Sequence, residues 1–214
     1  QGVTNLKIGD RVTGEGHIAC GHCRNCRRGK EHVCENSLGI GVNIDGAFAE
    51  YLKLPASNVV LLDKRIPDDW AAIMDPFGNA THTALSFPVL GEDVLVTGSG
   101  LIGSMAIAIA KFSGARFIVA SDLSDYRLEI AKKMGATATV NPGKGESIDT
   151  VRKQLGIRGF DVGLEMSGSP KAFVDMINNM YNGSSIALLG LLPSTFEVPW
   201  NDIIFKAITL KGIY

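Results

Sequence analysis

No cysteine lies outside positions 20–34 of this 214-residue chain, and the four inside that window have no distant partner. A long-range disulfide framework is therefore excluded, and a reducing, cytoplasmic setting is the expectation. No apolar run approaches the roughly 20 residues of a membrane-crossing helix. The run Ala106–Ala110 is short and lies inside a glycine-bounded helix pattern. No charged segment followed by an apolar one opens the chain, so no secretion signal is read. Neither sign of charge dominates: 21 Lys and Arg against 22 Asp and Glu leave a net charge of −1. Without a basic field, neither nucleic acid nor an acidic membrane surface is an expected partner. Internal repeats and low-complexity tracts are also absent. What is present is 45% hydrophobic, ordinary globular material with enough apolar residues for a sizeable core.

Two patterns follow one another along the chain. Residues 1 to about 55 are rich in glycine and turns, with short β-like pieces at Arg11–Thr13 and Ala47–Leu54, the latter ended by Pro55. A linker covers 62–69. A helix is expected to start at Asp69, to be interrupted by Pro76 and Gly78, and to resume as far as Pro88. From Asp93 the register changes to strand–helix alternation. Strands are expected at Asp93–Thr97, Phe117–Ser121, Thr137–Val140, Phe160–Glu165, Ser184–Gly190 and Ile208–Ile213. Helices are expected at Leu101–Phe112, with Ile102, Met105, Ala106 and Ile109 on one face, and at Asp125–Met134, Ser147–Leu155 and Lys171–Tyr181. This order predicts an α/β fold with a doubly wound parallel sheet of the Rossmann type. The expected domains are 1–68, containing the cysteine lobe, and 69–214, containing the sheet and its leading helix.

Gly98, Gly100 and Gly103 form G-x-G-x-x-G. The pattern is weak in isolation, but here it follows a strand, opens a helix and starts a βαβ unit. In that context Gly98 permits a tight turn, Gly100 lets a pyrophosphate approach the backbone, and Gly103 lets helix and strand pack closely. The free N–H groups and positive dipole end of the helix favour phosphate. Asp122 stands about 20 residues on, where an acid would accept hydrogen bonds from ribose hydroxyls and repel a 2′-phosphate. NAD is therefore the expected cofactor, with Arg127 close enough to accommodate a phosphate instead. Because ligands bind beyond the carboxyl ends of such strands, Leu189, Gly190, Leu191, Ile213 and Tyr214 are also candidates; ordinary strand-end packing explains them equally well. The same glycines could also serve only to turn a strand into a helix.

Cys20, Cys23, Cys26 and Cys34 read C-x₂-C-x₂-C-x₇-C. Four thiolates at this spacing can converge on one tetrahedral Zn²⁺, and a closed shell makes the zinc structural. Arg24, Arg27, Arg28 and Lys30 lie in the loop and would offset its formal charge of −2. Three rival readings exist. An iron–sulfur run would close after three residues and a proline, whereas here seven residues precede Cys34 and Glu35 follows. A nucleic-acid-binding finger needs a recognition helix, and none follows. Unligated buried thiols are the third. His17, His22 and His32 are read as loop or surface residues.

Gly9-Asp10-Arg11-Val12 before the cysteines, Ala49-Glu50-Tyr51 after them, and the glycine turn beyond together resemble the medium-chain zinc dehydrogenase family. Further runs, at 14–18, 20–27, 75–79, 82–87, 126–129, 160–168 and 210–214, resemble its threonine-oxidising branch. The resemblance implies a GroES-like β domain, in part, ahead of the Rossmann domain. It implies NAD-dependent oxidation of the L-threonine 3-hydroxyl to 2-amino-3-ketobutyrate, by a homo-oligomer, dimer or tetramer. It carries cofactor contacts onto Ile102, Asp122, Arg127, Leu189–Leu191, Ile213 and Tyr214. It sets Asp75 beside a catalytic zinc, in support of a proton relay, where the local alternative is a cap before Pro76. His17 would face the substrate. The family's catalytic zinc ligands, a cysteine and a later His-Glu pair, precede the G-D-R-V motif; this sequence has no fifth cysteine and no His-Glu dipeptide. The expectation is a fragment of a longer enzyme that binds NAD and turns over nothing alone. Two alternatives remain open: a polyol or secondary-alcohol dehydrogenase of the same family, and a non-catalytic NAD-binding module.

Overall fold

A computed structural model describes residues 3–214, which divide into two compact units, the first ending at Asp75 and including Tyr214, the second spanning Pro76–Ile213. Among the described residues no helix is long and apolar enough to cross a membrane.

The first unit has little regular structure. β1 (Val12–Gly14) pairs antiparallel with β4 (Val59–Leu61), and β2 (His17–Ile18) pairs with β3 (Leu38–Gly39). Asn58 is buried between them, its amide donating to the Glu15 and His17 carbonyls at 3.0 and 2.8 Å. Arg11 donates to the Ile66 carbonyl at 2.6 Å and pairs with Asp68. The strand expected at Ala47–Leu54 is not formed: the segment is irregular, with Phe48 and Tyr51 exposed. An aromatic and aliphatic run forms a strand only where a neighbouring strand accepts its ladder, and none of the unit's strands pairs with it.

The helical region departs from expectation in one place. α1 (Asp68–Ala71) stops early, and α2 (Met74–Ala84) runs unbroken through Pro76 and Gly78. The interruption falls at Ala72–Ile73 because Pro76 occupies the first turn of α2, where its missing N–H has no partner to lose.

In the second unit, strand and helix alternate: β5 (Asp93–Thr97), α3 (Leu101–Phe112), β6 (Phe117–Ser121), α4 (Asp125–Met134), β7 (Ala138–Val140), α5 (Ile148–Gln154), β8 (Phe160–Glu165), α6 (Pro170–Asn179), β9 (Met180–Leu188), α7 (Trp200–Phe205) and β10 (Thr209–Gly212). The sheet is wholly parallel, in the order β10-β9-β8-β5-β6-β7. Chain order reverses at β5, which lies between β6 and β8, so the crevice of a doubly wound sheet must open there.

Both faces are covered. On one, α3 lays Met105, Ala106, Ile107 and Ala110 against the sheet, and Ile102 and Ile109 flank that stripe partly buried. On the other, Phe160, Phe173, Met176 and Ile177 pack with Leu95, Val119 and Ile186. Each such fully buried side chain contributes about 1.5–3 kcal/mol. Lys206 reaches back to the carbonyls of Ile177 and Asn178, both at 2.9 Å, capping the end of α6.

Candidate functional site

The end of β5 turns sharply at Gly98, whose φ of +87° lies in the left-handed region. A Cβ there would sit 2.7 Å from the Ser167 nitrogen, so the turn also abuts the loop after β8. Gly103 is packed still more tightly: a Cβ would lie 1.9 Å from the Gly98 carbonyl oxygen. Gly100 differs, because nothing lies within 4 Å of its Cβ position. It precedes α3 in extended backbone, and no side chain caps that helix. The first-turn N–H groups therefore face open space beside a glycine without a side chain, a cradle shaped for an anion.

Asp122 follows β6 and fastens the turn. Its Oδ2 accepts from the Ser99 N–H at 2.8 Å and its Oδ1 from the Ser124 N–H at 2.9 Å. Arg127 approaches Asp122 Oδ2 at 3.7 Å. Below them Asn141 is buried, donating to the Leu123 carbonyl at 3.1 Å and to Asp125 at 2.7 Å. Lys144, together with Asn141, holds the Asp125 carboxyl below its usual range.

These elements enclose a cavity of about 390 Å³. Of the residues predicted from sequence, Gly98, Gly100, Asp122 and Arg127 line it. Gly103 is buried behind the turn and Ile102 packs against the core. Leu189 and Gly190 lie beyond β9 and donate to the Glu165 carbonyl, both at 3.0 Å. Leu191 is exposed. Ile213 packs on the core and donates to the Leu188 carbonyl at 2.9 Å.

Sequence reasoning missed the other wall: Met166, Ser167 and Ser169 after β8, Lys171, Ala172 and Asp175 on α6, and Pro142 and Gly143 after β7. The strand-end rule, applied to β7 and β8 as well as to β9 and β10, would have nominated several of them. Burial pushes the Asp175 carboxyl up, against the pull of Lys171.

In the first unit, the four cysteine sulfurs all lie within 4.8 Å of one another. Cys23 Sγ is 3.4 Å from Cys26 Sγ and 3.9 Å from Cys34 Sγ, near the ~3.8 Å edge of a tetrahedron built on Zn–S bonds of about 2.3 Å. Backbone N–H groups point at the sulfurs: Cys23 N at Cys20 Sγ (3.4 Å), Cys20 N and Asn36 N at Cys34 Sγ (3.3 Å each). Such donors favour thiolates. The His22 backbone, foremost, draws Cys20 down to about 6, whereas burial beside the other sulfurs pushes Cys26 up to about 12. Cys20 and Cys26 are thus pushed in opposite directions, and a divalent ion would favour the thiolate at both. The donor set therefore fits zinc. Arg24, Arg27, Arg28 and Lys30 are exposed around it. No histidine joins the group; His22 Nδ1 contacts the Cys20 carbonyl at 2.8 Å.

The same unit holds three other predicted residues. Asp75 is exposed in the first turn of α2, with Oδ1 3.8 Å from the Cβ position of Gly16. Beside Gly16, His17 contacts Glu15 through Nδ1 at 2.9 Å, and its ring lies 5.5 Å from that of Tyr214.

Comparison with known proteins agrees with this layout. Residues 102–214 match the model described as zinc-binding dehydrogenase, and residues 1–64 match the alcohol dehydrogenase GroES-like domain. The L-threonine 3-dehydrogenase of Pseudoalteromonas translucida (strain TAC 125) is 58% identical over 215 residues, covering all of this chain and 63% of that protein. The chain thus spans somewhat less than two thirds of that relative. An alcohol dehydrogenase from Escherichia coli CFT073, solved with NADH, superposes with a TM-score of 0.92 at 27% identity, over 100% of this chain and 63% of the other. A structure from Sinorhizobium meliloti 1021 assigned to the zinc-binding dehydrogenases, bound to NADP, gives 0.91 at 28% identity, over 99% and 64%.

Proposed function

This chain belongs to the zinc-binding dehydrogenase family, and on that premise we propose that it is the NAD-binding and structural-zinc portion of an L-threonine 3-dehydrogenase. The cofactor reading rests on one observation: an uncapped helix start with open space at Gly100 shares a crevice with the carboxylate of Asp122. The substrate reading rests on the 58% identity to a relative of that name.

The Gly98 turn and the first turn of α3 would hold the pyrophosphate by backbone N–H groups. Asp122 would accept from the adenosine ribose hydroxyls, and its charge would disfavour a 2′-phosphate. Met166 and Leu123 offer apolar contact for the base along the crevice wall. Bound there, a nicotinamide dinucleotide would supply the hydride acceptor for oxidation of the threonine 3-hydroxyl to 2-amino-3-ketobutyrate. Cys20, Cys23, Cys26 and Cys34 would hold a zinc that shapes the lobe and, with its shell closed, contacts no substrate. Among the described residues no second cluster could ligate a metal, so metal activation of the alcohol is assigned to none of them. Asp75 is given, by resemblance alone, a part in proton handling beside such a metal.

Calorimetric titration of the chain with NADH tests the cofactor reading: saturable 1:1 binding, displaced by ADP-ribose, is the expected result, and no heat of binding would overturn it. A dehydrogenase assay on the longer polypeptide carrying this segment tests the substrate. L-threonine should be oxidised in preference to polyols and simple secondary alcohols; the reverse order would remove the threonine assignment.

A further inference from the structure

Glu165 ends β8 with its side chain fully buried at the carboxyl edge of the sheet. Its partners are neutral donors. Oε1 accepts from the Ser167 N–H at 2.9 Å, from the Ser167 hydroxyl, and from the Gly168 N–H at 3.1 Å. The Ser169 N–H in turn donates to Ser167 Oγ at 3.0 Å. Burial pushes the carboxyl pKa up, and these donors pull against it. Oε2 is also approached by a donor, the Gly168 N–H at 3.3 Å, so both oxygens face N–H or O–H groups; a carboxylate accepts at both positions, whereas an amide accepts at one and donates at the other.

The same residue grips a second segment. Its main-chain carbonyl accepts from Leu189 and Gly190, both at 3.0 Å. A Cβ on Gly190 would lie 2.3 Å from Glu165 Oε2, and one on Gly168 would lie 2.8 Å from the Leu191 oxygen. Side chain and backbone of one residue therefore join the loop after β8 to the loop after β9. Ser167 and Ser169 of the first loop line the crevice, whereas Glu165 does not.

We propose that Glu165 is a positioning residue for the dinucleotide: it touches no ligand, but its carboxylate sets the Ser167–Ser169 wall against the adenosine half while its carbonyl anchors Leu189–Leu191. This rests on the crevice being a dinucleotide site, and the test separates the two ideas. ADP-ribose and NADH are titrated into the wild-type chain and into Glu165→Gln, alongside ligand-free thermal unfolding. The variant keeps the shape but turns an amide N–H₂ toward existing donors. Both ligands should bind at least tenfold more weakly to folded Glu165→Gln. A purely structural role would lower the unfolding temperature and leave the affinity of the folded chain unchanged; that result overturns the inference. If Glu165→Gln does not fold, Ser167→Ala decides, since it removes one donor and spares the backbone. A threefold or greater weakening for ADP-ribose supports the inference, and wild-type affinity refutes it. If the wild-type chain binds neither ligand, the crevice assignment falls, and Glu165 with it; if the wild type binds and the variant binds equally, only the role of Glu165 falls.

Discussion

The Ser99 N–H donates to Asp122 Oδ2 at 2.8 Å, tying the glycine turn after β5 to the residue that follows β6. The acid that would hold a ribose also holds the turn that would hold the phosphates. Removing it must therefore be separated into loss of charge and loss of a turn fastener. Asp122→Ser keeps a hydrogen-bond acceptor, deletes the charge and leaves Arg127 in place. The ratio of NADPH to NADH affinity should rise at least tenfold, measured by fluorescence titration. An unchanged ratio would mean that Asp122 does not discriminate between the cofactors.

The glycines at 100 and 103 should fail in different ways. Gly103→Ala forces a Cβ to 1.9 Å from the Gly98 oxygen, which should cost about 3 kcal/mol of folding stability in urea titration. Gly100→Ala meets nothing within 4 Å and adopts backbone angles open to any residue. Its stability should stay within about 1 kcal/mol of wild type, while NADH affinity drops at least tenfold because the methyl occupies the phosphate cradle. Equal stability losses in the two variants would contradict this packing.

Zinc should be found at one ion per chain by atomic absorption, released by chelation or by mercurial titration of the thiols. Cys23→Ser, which removes a buried ligand 3.4 Å from Cys26 Sγ, should abolish stoichiometric binding. Because the zinc would lie in the first unit and the crevice in the second, NADH affinity should survive its removal. Proteolysis should then cut first within the cysteine lobe, since little regular structure there could persist without the ion. A zinc-free lobe as resistant to protease as the loaded one would contradict a structural role for the metal.

Acid should weaken the ion pair of Asp125 with Lys144. The Lys144 ammonium, 2.5 Å from Asp125 Oδ2, is the main cause holding that carboxyl below the range of an unfolded chain. A carboxyl with a depressed folded pKa stabilises the native state above its unfolded value of about 3.9 and loses that contribution as pH falls through the folded value. Asp125→Asn should therefore be less stable than wild type at pH 7, and the gap should narrow as pH falls below the unfolded value. Both residues are exposed, so the difference should be small and should shrink in salt. A gap that widens toward acid would mean that the carboxyl is not stabilised in its charged form.

The contrast between Gly98 and Glu165 shows where sequence reading stops. Gly98 belongs to a local signal: strand, glycines and helix follow within a few residues, and local sterics require that order. The cysteine spacing is equally local. Glu165 carries no comparable signal, because its meaning comes from Gly190, 25 positions away in sequence order but in contact across the sheet. The same distance hid Lys171, Ala172 and Asp175: on α6 they read as an ordinary helix start until β8 is placed beside β5.

The alternation of strands and helices, the sharp turn at Gly98 and the convergence of four thiols were determined by the sequence alone, since each depends on backbone preferences and side chains a few residues apart. Tertiary structure alone decided that Ala47–Leu54 stays irregular and that the loops after β7 and β8 form half of the crevice. Those outcomes depend on which segments meet, and hydrogen-bond ladders and buried apolar faces exist only once distant parts of the chain have come together.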